Sequence, residues 1–244
     1  MSYEFDHLVI TGRDKMEVAT RTLQAAGFHL TDLSKHNLGS LNRLIILDSA
    51  YLEILGWEPG TQSIRQEIAD RACGIDALVF RTTNAEGCFQ DLMDADFSPN
   101  PVQDLSRPVR VGGEIRQALF KTVRFTTQPI PGLRIYFCQH LTPQYVWKAE
   151  DMKHSNGLTH LKEIEVGSSH PTQTYLLLAK LLQLPNVLST DSLKEVNDYT
   201  IDLGNCLLRI HGKALGSSNS INQCQIESSD EKKLYTLSQE NFRW

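Results

Sequence analysis

The side chains of this chain best suited to chemistry are polar residues that interrupt apolar, strand-like runs. His7 stands in "FDHLVIT" (5–11), Glu53 in "YLEILG" (51–56), and Asn42 in "LNRLIIL" (41–47), with His36 a short way upstream. A buried carboxylate is costly unless it is paired, hydrogen-bonded or metal-bound. An imidazole facing it has three uses, and the residues alone leave all three open. His7 and Glu53 can simply satisfy each other. They can act as acid, base or binder in a metal-free pocket, where burial and neighbours set their pKa values. Or they can hold a divalent ion, for which imidazole and carboxylate suit iron, manganese, zinc or nickel. His36 and Asn42 frame a turn at Gly39. They either satisfy that turn's own backbone or orient a substrate carbonyl or carboxylate. Tyr145 and Trp147 either lid a pocket or pack between elements, as large aromatics usually do.

Strand parity decides which way these side chains point, because successive residues of a strand face opposite sides. Leu8 and Ile10 suit packing under a helix, so His7, Val9 and Thr11 face away from it. Leu52 and Ile54 form the matching pair, which puts Tyr51, Glu53 and Leu55 on the His7 side. Tyr136, Cys138 and His140 share one face of "LRIYFCQH" (133–140).

The elements that carry them repeat. "FDHLVIT" is followed by a helical stripe of Met16, Ala19, Leu23 and Ala26, with Asp14 expected as N-cap and Gly27 as the stop. Strands "HLTDLS", "LNRLIIL" and "YLEILG" complete one βαβββ unit. The same order starts again near residue 75, with strands "PVQDL", "EIRQALFKTVRF" and "LRIYFCQH" and a hairpin turn at "VGG" (111–113). It starts once more near 161, with "NVLST", "DYTIDLG" and "NCLLRIHG", and near 221, where a strand and a helix are expected. The predicted class is α+β: βαβββ modules paired side by side into cup-shaped mixed-sheet barrels, each cup being the place for a ligand. The first cup takes residues 1–140, a connector with a short helix 141–158, and a second, incomplete pair 159–244. Its exposed half suggests a homodimer. A Glu163–Arg209 ion pair is expected on the face of the third module.

Composition narrows the function. The 244 residues carry a net charge of −5 and 22% charged residues, with no basic stripe, so nucleic acid is not an expected partner. Five scattered cysteines without CxxC spacing read as reduced thiols in a cytoplasmic protein. No signal peptide or apolar membrane-spanning window is read, and no GxGxxG, P-loop or GxSxG motif is present.

"FDHLVI", "HNLGSLNRL" (36–44), "YLEILG" and "QHLTPQYVW…HSNG" (139–157) together resemble the glyoxalase-like members of the vicinal oxygen chelate superfamily. The resemblance implies paired βαβββ modules and a small-molecule ligand. The activities it allows include lyase, isomerase, dioxygenase and epimerase chemistry, and also bleomycin-resistance-type sequestration without catalysis. Metal ligands in that superfamily come from the first and last strands of paired modules. The carry-over gives His7, Glu53 and His140 as a metal set, while Ala77 holds the remaining position and cannot ligate. The resulting expectation is an enzyme acting on a small carbonyl- or carboxylate-bearing molecule, with Glu53 and His7 catalytic and with His36, Asn42 and Trp147 binding substrate. The alternative is a metal-free binding protein.

Overall fold

Three helices of this chain end in the same way, and that shared ending is the clearest trace of the repeat. The computed structural model describes residues 3–185, 198–212 and 218–242. Helix α1 (Met16–Ala25) buries Met16, Ala19, Thr20 and Leu23 on one stripe. It stops with Gly27 at φ 85°, where the Gly27 and Phe28 amides donate to the carbonyls of Gln24 and Leu23. Helix α2 (Ala85–Asp94) ends through Asp96 and Phe97, and α3 (Pro171–Leu181) through Gln183 and Leu184, with equivalent bonds. Each pattern spends a left-handed residue to satisfy the last carbonyls and then turns an apolar side chain back toward the core. Asp14 does not cap α1. Lys15 holds that position without a side-chain capping bond, and its amide donates to the Gly12 carbonyl.

Strand β1 (Glu4–Arg13) lies at the centre of an eight-stranded sheet. It pairs in parallel with β4 (Tyr51–Gly56) and antiparallel with β5 (Gly74–Arg81). Outward from β4 come β3 (Leu41–Ile46) and β2 (Ser34–Lys35). Outward from β5 come β8 (Arg134–His140), β7 (Glu114–Val123) and β6 (Gln103–Val111). The sheet curls until its two ends meet: the Ser34 hydroxyl donates to the Pro108 carbonyl at 2.7 Å and the Asn37 amide to Ser106 at 2.9 Å. The result is a nearly closed barrel of α+β type, as the repeat predicts. Pro108 is tolerated because β6 is an end strand and its missing donor breaks no ladder. The turn at Gly112 and Gly113 is the expected two-residue hairpin, both at positive φ.

Two apolar clusters separate the faces. Leu8, Ile10, Leu52 and Ile54 pack with the helices in the main core. Val9, Tyr51, Leu55, Ala77 and Val79 pack inside the barrel with Tyr136, Cys138 and Phe120. The parity assignments therefore hold on β1, β4 and β8.

The second sheet runs β10 (Asp198–Asp202), β11 (Leu207–His211), β9 (Leu158–Gly167), β12 (Ser220–Ser228) and β13 (Leu234–Ser238). The helix expected within 221–242 is a strand instead. Tyr235 and Leu237 point to the core at period two, and β13 pairs antiparallel with β12. "HLTDLS" forms a strand only at Ser34–Lys35, and "NVLST" lies outside the described residues. Arg209 faces Asp198 at 3.9 Å rather than Glu163, because antiparallel β10 brings an acid closer than the parallel neighbour does. Glu165 takes a bond from Gln223 at 2.8 Å. All five cysteines are free thiols.

Candidate functional site

The barrel interior collects the polar residues singled out in the sequence, and β1 adds one that parity misses. The register of β1 on β5 jumps between Phe5 and His7, so Asp6 is an extra residue in a bulge. A bulge lets two consecutive side chains escape alternation. Phe5 and Leu8 both enter the main core, while Asp6 joins His7 on the barrel side. The Asp6 carboxylate, fully buried, accepts from His7 Nδ1 at 2.7 Å, from His140 Nε2 at 2.9 Å and from Arg81 Nε at 2.9 Å.

On its other nitrogen His7 meets the Tyr136 hydroxyl at 3.0 Å and the Glu53 carboxylate at 3.6 Å. Its ring stacks on Tyr51 with centroids 4.3 Å apart. Glu53 accepts from Asn42 Nδ2 at 2.9 Å, because Leu44 and Glu53 are cross-strand partners and Asn42 lies two residues along β3 on the same face. Asn42 Nδ2 is also 3.4 Å from His36 Nε2. Arg65 donates to the Ser40 hydroxyl at 3.0 Å, and His36 Nδ1 lies 3.0 Å from that same oxygen. The network assigns the proton of a neutral His36 to Nδ1, leaving Nε2 as acceptor. Gly39, at φ 90°, makes the tight return from His36 to Ser40.

These contacts set the charge states. Burial alone raises a carboxyl's pKa, but the His7 bond, the neighbouring imidazoles and the Asn42 bond outweigh it and hold Glu53 well below the usual carboxylate range. Burial opposes charge on His7 too; bonds to Asp6 and Glu53 overcome it and raise its pKa. His36 goes the other way. Burial pushes it down to about 4; Glu53 pulls upward, while Arg107, Arg65 and Arg124 add to the drop. At neutral pH the cup therefore holds an ionised Glu53, a His7 biased toward imidazolium and a neutral His36.

Three arginines face the same cavity: Arg65, Arg107 and Arg124. Arg65 is bound to Glu67 at 2.6 Å, and Arg124 reaches that carboxylate only at 3.4 Å, its Nε without an acceptor. Arg107 is 4% exposed, and its side chain makes no hydrogen bond or ion pair among the described residues. Burial is the main force lowering its pKa. Asn42 Oδ1 is also buried without a donor. The cavity itself is small, about 20 Å³, which is room for one or two waters.

Not all the expected roles come together. His7, Glu53, His36 and Asn42 all line the cavity, whereas His140 and Trp147 do not. Trp147 covers the rim, over the Arg81 guanidinium at 4.8 Å and against His140 at 5.0 Å. The expected metal set of His7, Glu53 and His140 is not gathered around one point, since Asp6 holds His140 on the far side of His7. Among the described residues one trio has its ligand atoms within 4.8 Å of each other: Asp6, Cys138 and His140. That trio does not fit a divalent ion. Asp6 is committed to three donors, one of them a guanidinium. Three guanidiniums around Glu53 likewise favour an anion over a cation.

Sequence reasoning missed Asp6, Arg65, Arg107 and Arg124. Asp6 carried a signal, an acid next to His7 inside an apolar strand. The arginines lie outside the motifs, and only closure of the barrel brings them in.

A family model described as Glyoxalase-like domain matches residues 5–182. In fold the chain is similar to a hypothetical protein from Staphylococcus aureus, at 13% identity and a TM-score of 0.73 over 96% of this chain and 98% of that one. Fainter likenesses connect it to a mutant of 4-hydroxymandelate synthase from Streptomyces coelicolor (13% identity, TM-score 0.45, 97% of this chain and 62% of that one). Another is methylmalonyl-CoA epimerase from Mycobacterium tuberculosis (14% identity, TM-score 0.40, 56% and 87%). No curated protein matches by sequence, and no described helix is long and apolar enough to cross a membrane.

Proposed function

The chain belongs to the glyoxalase-like domain family, and from that premise we propose that it is an enzyme of proton transfer acting on a small carboxylate-bearing carbonyl compound in the first cup. One observation carries this reading: in the cavity that holds Glu53, the Arg107 side chain makes no hydrogen bond or ion pair among the described residues. A guanidinium without a protein partner is open to a charge-assisted, bidentate bond from a bound carboxylate. Arg124 offers a second free donor. A carboxylate taken by these two groups sets its neighbouring carbon against Glu53, which is ionised and able to receive a proton from it. His7 stands between Asp6 and Tyr136, placed to pass a proton to or from the substrate oxygen. Asp6 orients His7 and stabilises its charged form; it does not touch substrate. Asn42 Oδ1 is free to accept a substrate hydroxyl. The reaction class is an isomerisation in which the proton leaves one carbon or oxygen and returns to another, with no change of oxidation state overall.

The test is deuterium uptake. Small 2-oxo and 2-hydroxy carboxylates are incubated with the protein in D2O and followed by proton NMR. Enzyme-dependent exchange next to the carboxylate, lost in Glu53→Gln while binding persists, supports the reading. Tight binding without exchange supports the sequestering alternative instead, which the internal pairing of Glu53 favours. No carboxylate binding at all removes both.

A further inference from the structure

Beside the cup lies a larger cleft of about 240 Å³, and among the described residues Arg107 alone lines both. We infer that cup and cleft are two halves of a single ligand site, interrupted by the Arg107 side chain, and that its ligand is a carboxylate with an extended apolar tail. The inference rests on the carboxylate reading above and adds the rest of the molecule.

Volume is the first argument. The cup's 20 Å³ accepts no organic molecule beyond the size of a few waters, so a ligand that reaches Glu53 must extend out of it. Arg107 is the group that can yield. Its guanidinium holds no hydrogen bond or ion pair, so swinging it aside breaks none, and in doing so it stays within reach of a carboxylate entering the cup. The lining of the cleft is the second argument. Leu33 and Ile115 are large apolar side chains left 48% and 60% exposed, and both edge this cleft together with Leu30, Val109 and Tyr145. Exposed apolar groups gathered at the mouth of a concave site mark a place where apolar surface is to be covered. The cations at the cleft are partly spent on the protein itself: Lys148 is paired with Asp151 at 2.8 Å, and Asp151 also meets His29 at 3.2 Å. Arg110 also lines the cleft, so the apolar edge of Leu33 and Ile115, and not a lack of cations, is what points to an alkyl or aryl tail.

The experiment measures binding of straight-chain acids from acetate to octanoate by calorimetry. Affinity is expected to rise about two- to fourfold for each added methylene until the cleft is filled, as for apolar groups leaving water. Ile115→Ser and Leu33→Ser change exposed positions, so the fold should survive, checked by circular dichroism; each should flatten the rise with length. Arg107→Gln should weaken all chain lengths together by tenfold or more. Acids that bind with no dependence on length, or a length dependence indifferent to both serine variants, overturn the two-part site while leaving the carboxylate reading in place. Failure of every acid to bind overturns both.

Discussion

Replacing Arg107 with methionine should make this protein more stable and unable to bind its ligand. The substitution keeps a long, unbranched side chain and deletes the charge of a residue that is 4% exposed and makes no hydrogen bond or ion pair among the described residues. Exchanging buried ions for apolar groups of similar volume is commonly neutral or stabilising, by about 1–4 kcal/mol. Here Glu53 and Asp151 still attract Arg107 through space, so the low half of that range applies, about 1–2 kcal/mol. For a chain of this length 1 kcal/mol moves the midpoint by about 2–4 °C, which gives a rise of roughly 2–8 °C in Arg107→Met. The assay is thermal unfolding followed by circular dichroism in a buffer free of carboxylates, repeated with a small carboxylate added. Ligand at about 100 times its Kd stabilises a binding protein by about 2.7 kcal/mol, so the wild-type midpoint should climb and the variant's should stay still. A variant that melts below wild type, or one that the carboxylate protects equally, would refute the idea that this guanidinium is held in reserve for an anion.

Three other outcomes follow from the same geometry. Asp6→Asn removes a carboxylate that serves three donors and should cost about 3–5 kcal/mol in urea unfolding, with the His7 pKa falling when followed by NMR. His36 binds protons less readily folded, at about 4, than unfolded, at 6.5. Between those values the unfolded chain holds the extra proton, so stability should rise with pH across the interval by about 3 kcal/mol, and the rise should shrink in His36→Gln. Gly56→Ala would press a methyl group into the Arg13 carbonyl and the Met16 sulfur, losing at least about 2 kcal/mol, whereas Gly60→Ala, with open space at its Cβ but a positive φ, should lose about 1 kcal/mol.

Much of this was legible one residue at a time. The alternation of "FDHLVIT" and "YLEILG" places His7 and Glu53 on one side of the sheet, and the coordinates bring them to 3.6 Å. Periodicity is a local property, and apolar burial enforces it. The segment at 234–238 went the other way: within "DEKKLYTLSQENF" (230–242) it reads as part of a helix, and only pairing with β12 makes it a strand. The resemblance implies His140 as a ligand, but Asp6, the extra residue of the bulge, hydrogen-bonds it instead. A bulge leaves no trace in composition, because it is a mismatch between two strands rather than a feature of either.

The chain's own order of residues thus determined the βαβββ repeat, the two faces of each strand, and a histidine and glutamate on the inner one, because these follow from helix and strand periods and from keeping apolar groups out of water. Closure of the sheet decided the rest. Only when β2 and β6 meet do Arg107 and Arg124, more than fifty positions from Glu53 along the chain, come to face it. Charge acts through space and not through sequence, so the electrostatics of the cup belongs to the tertiary structure.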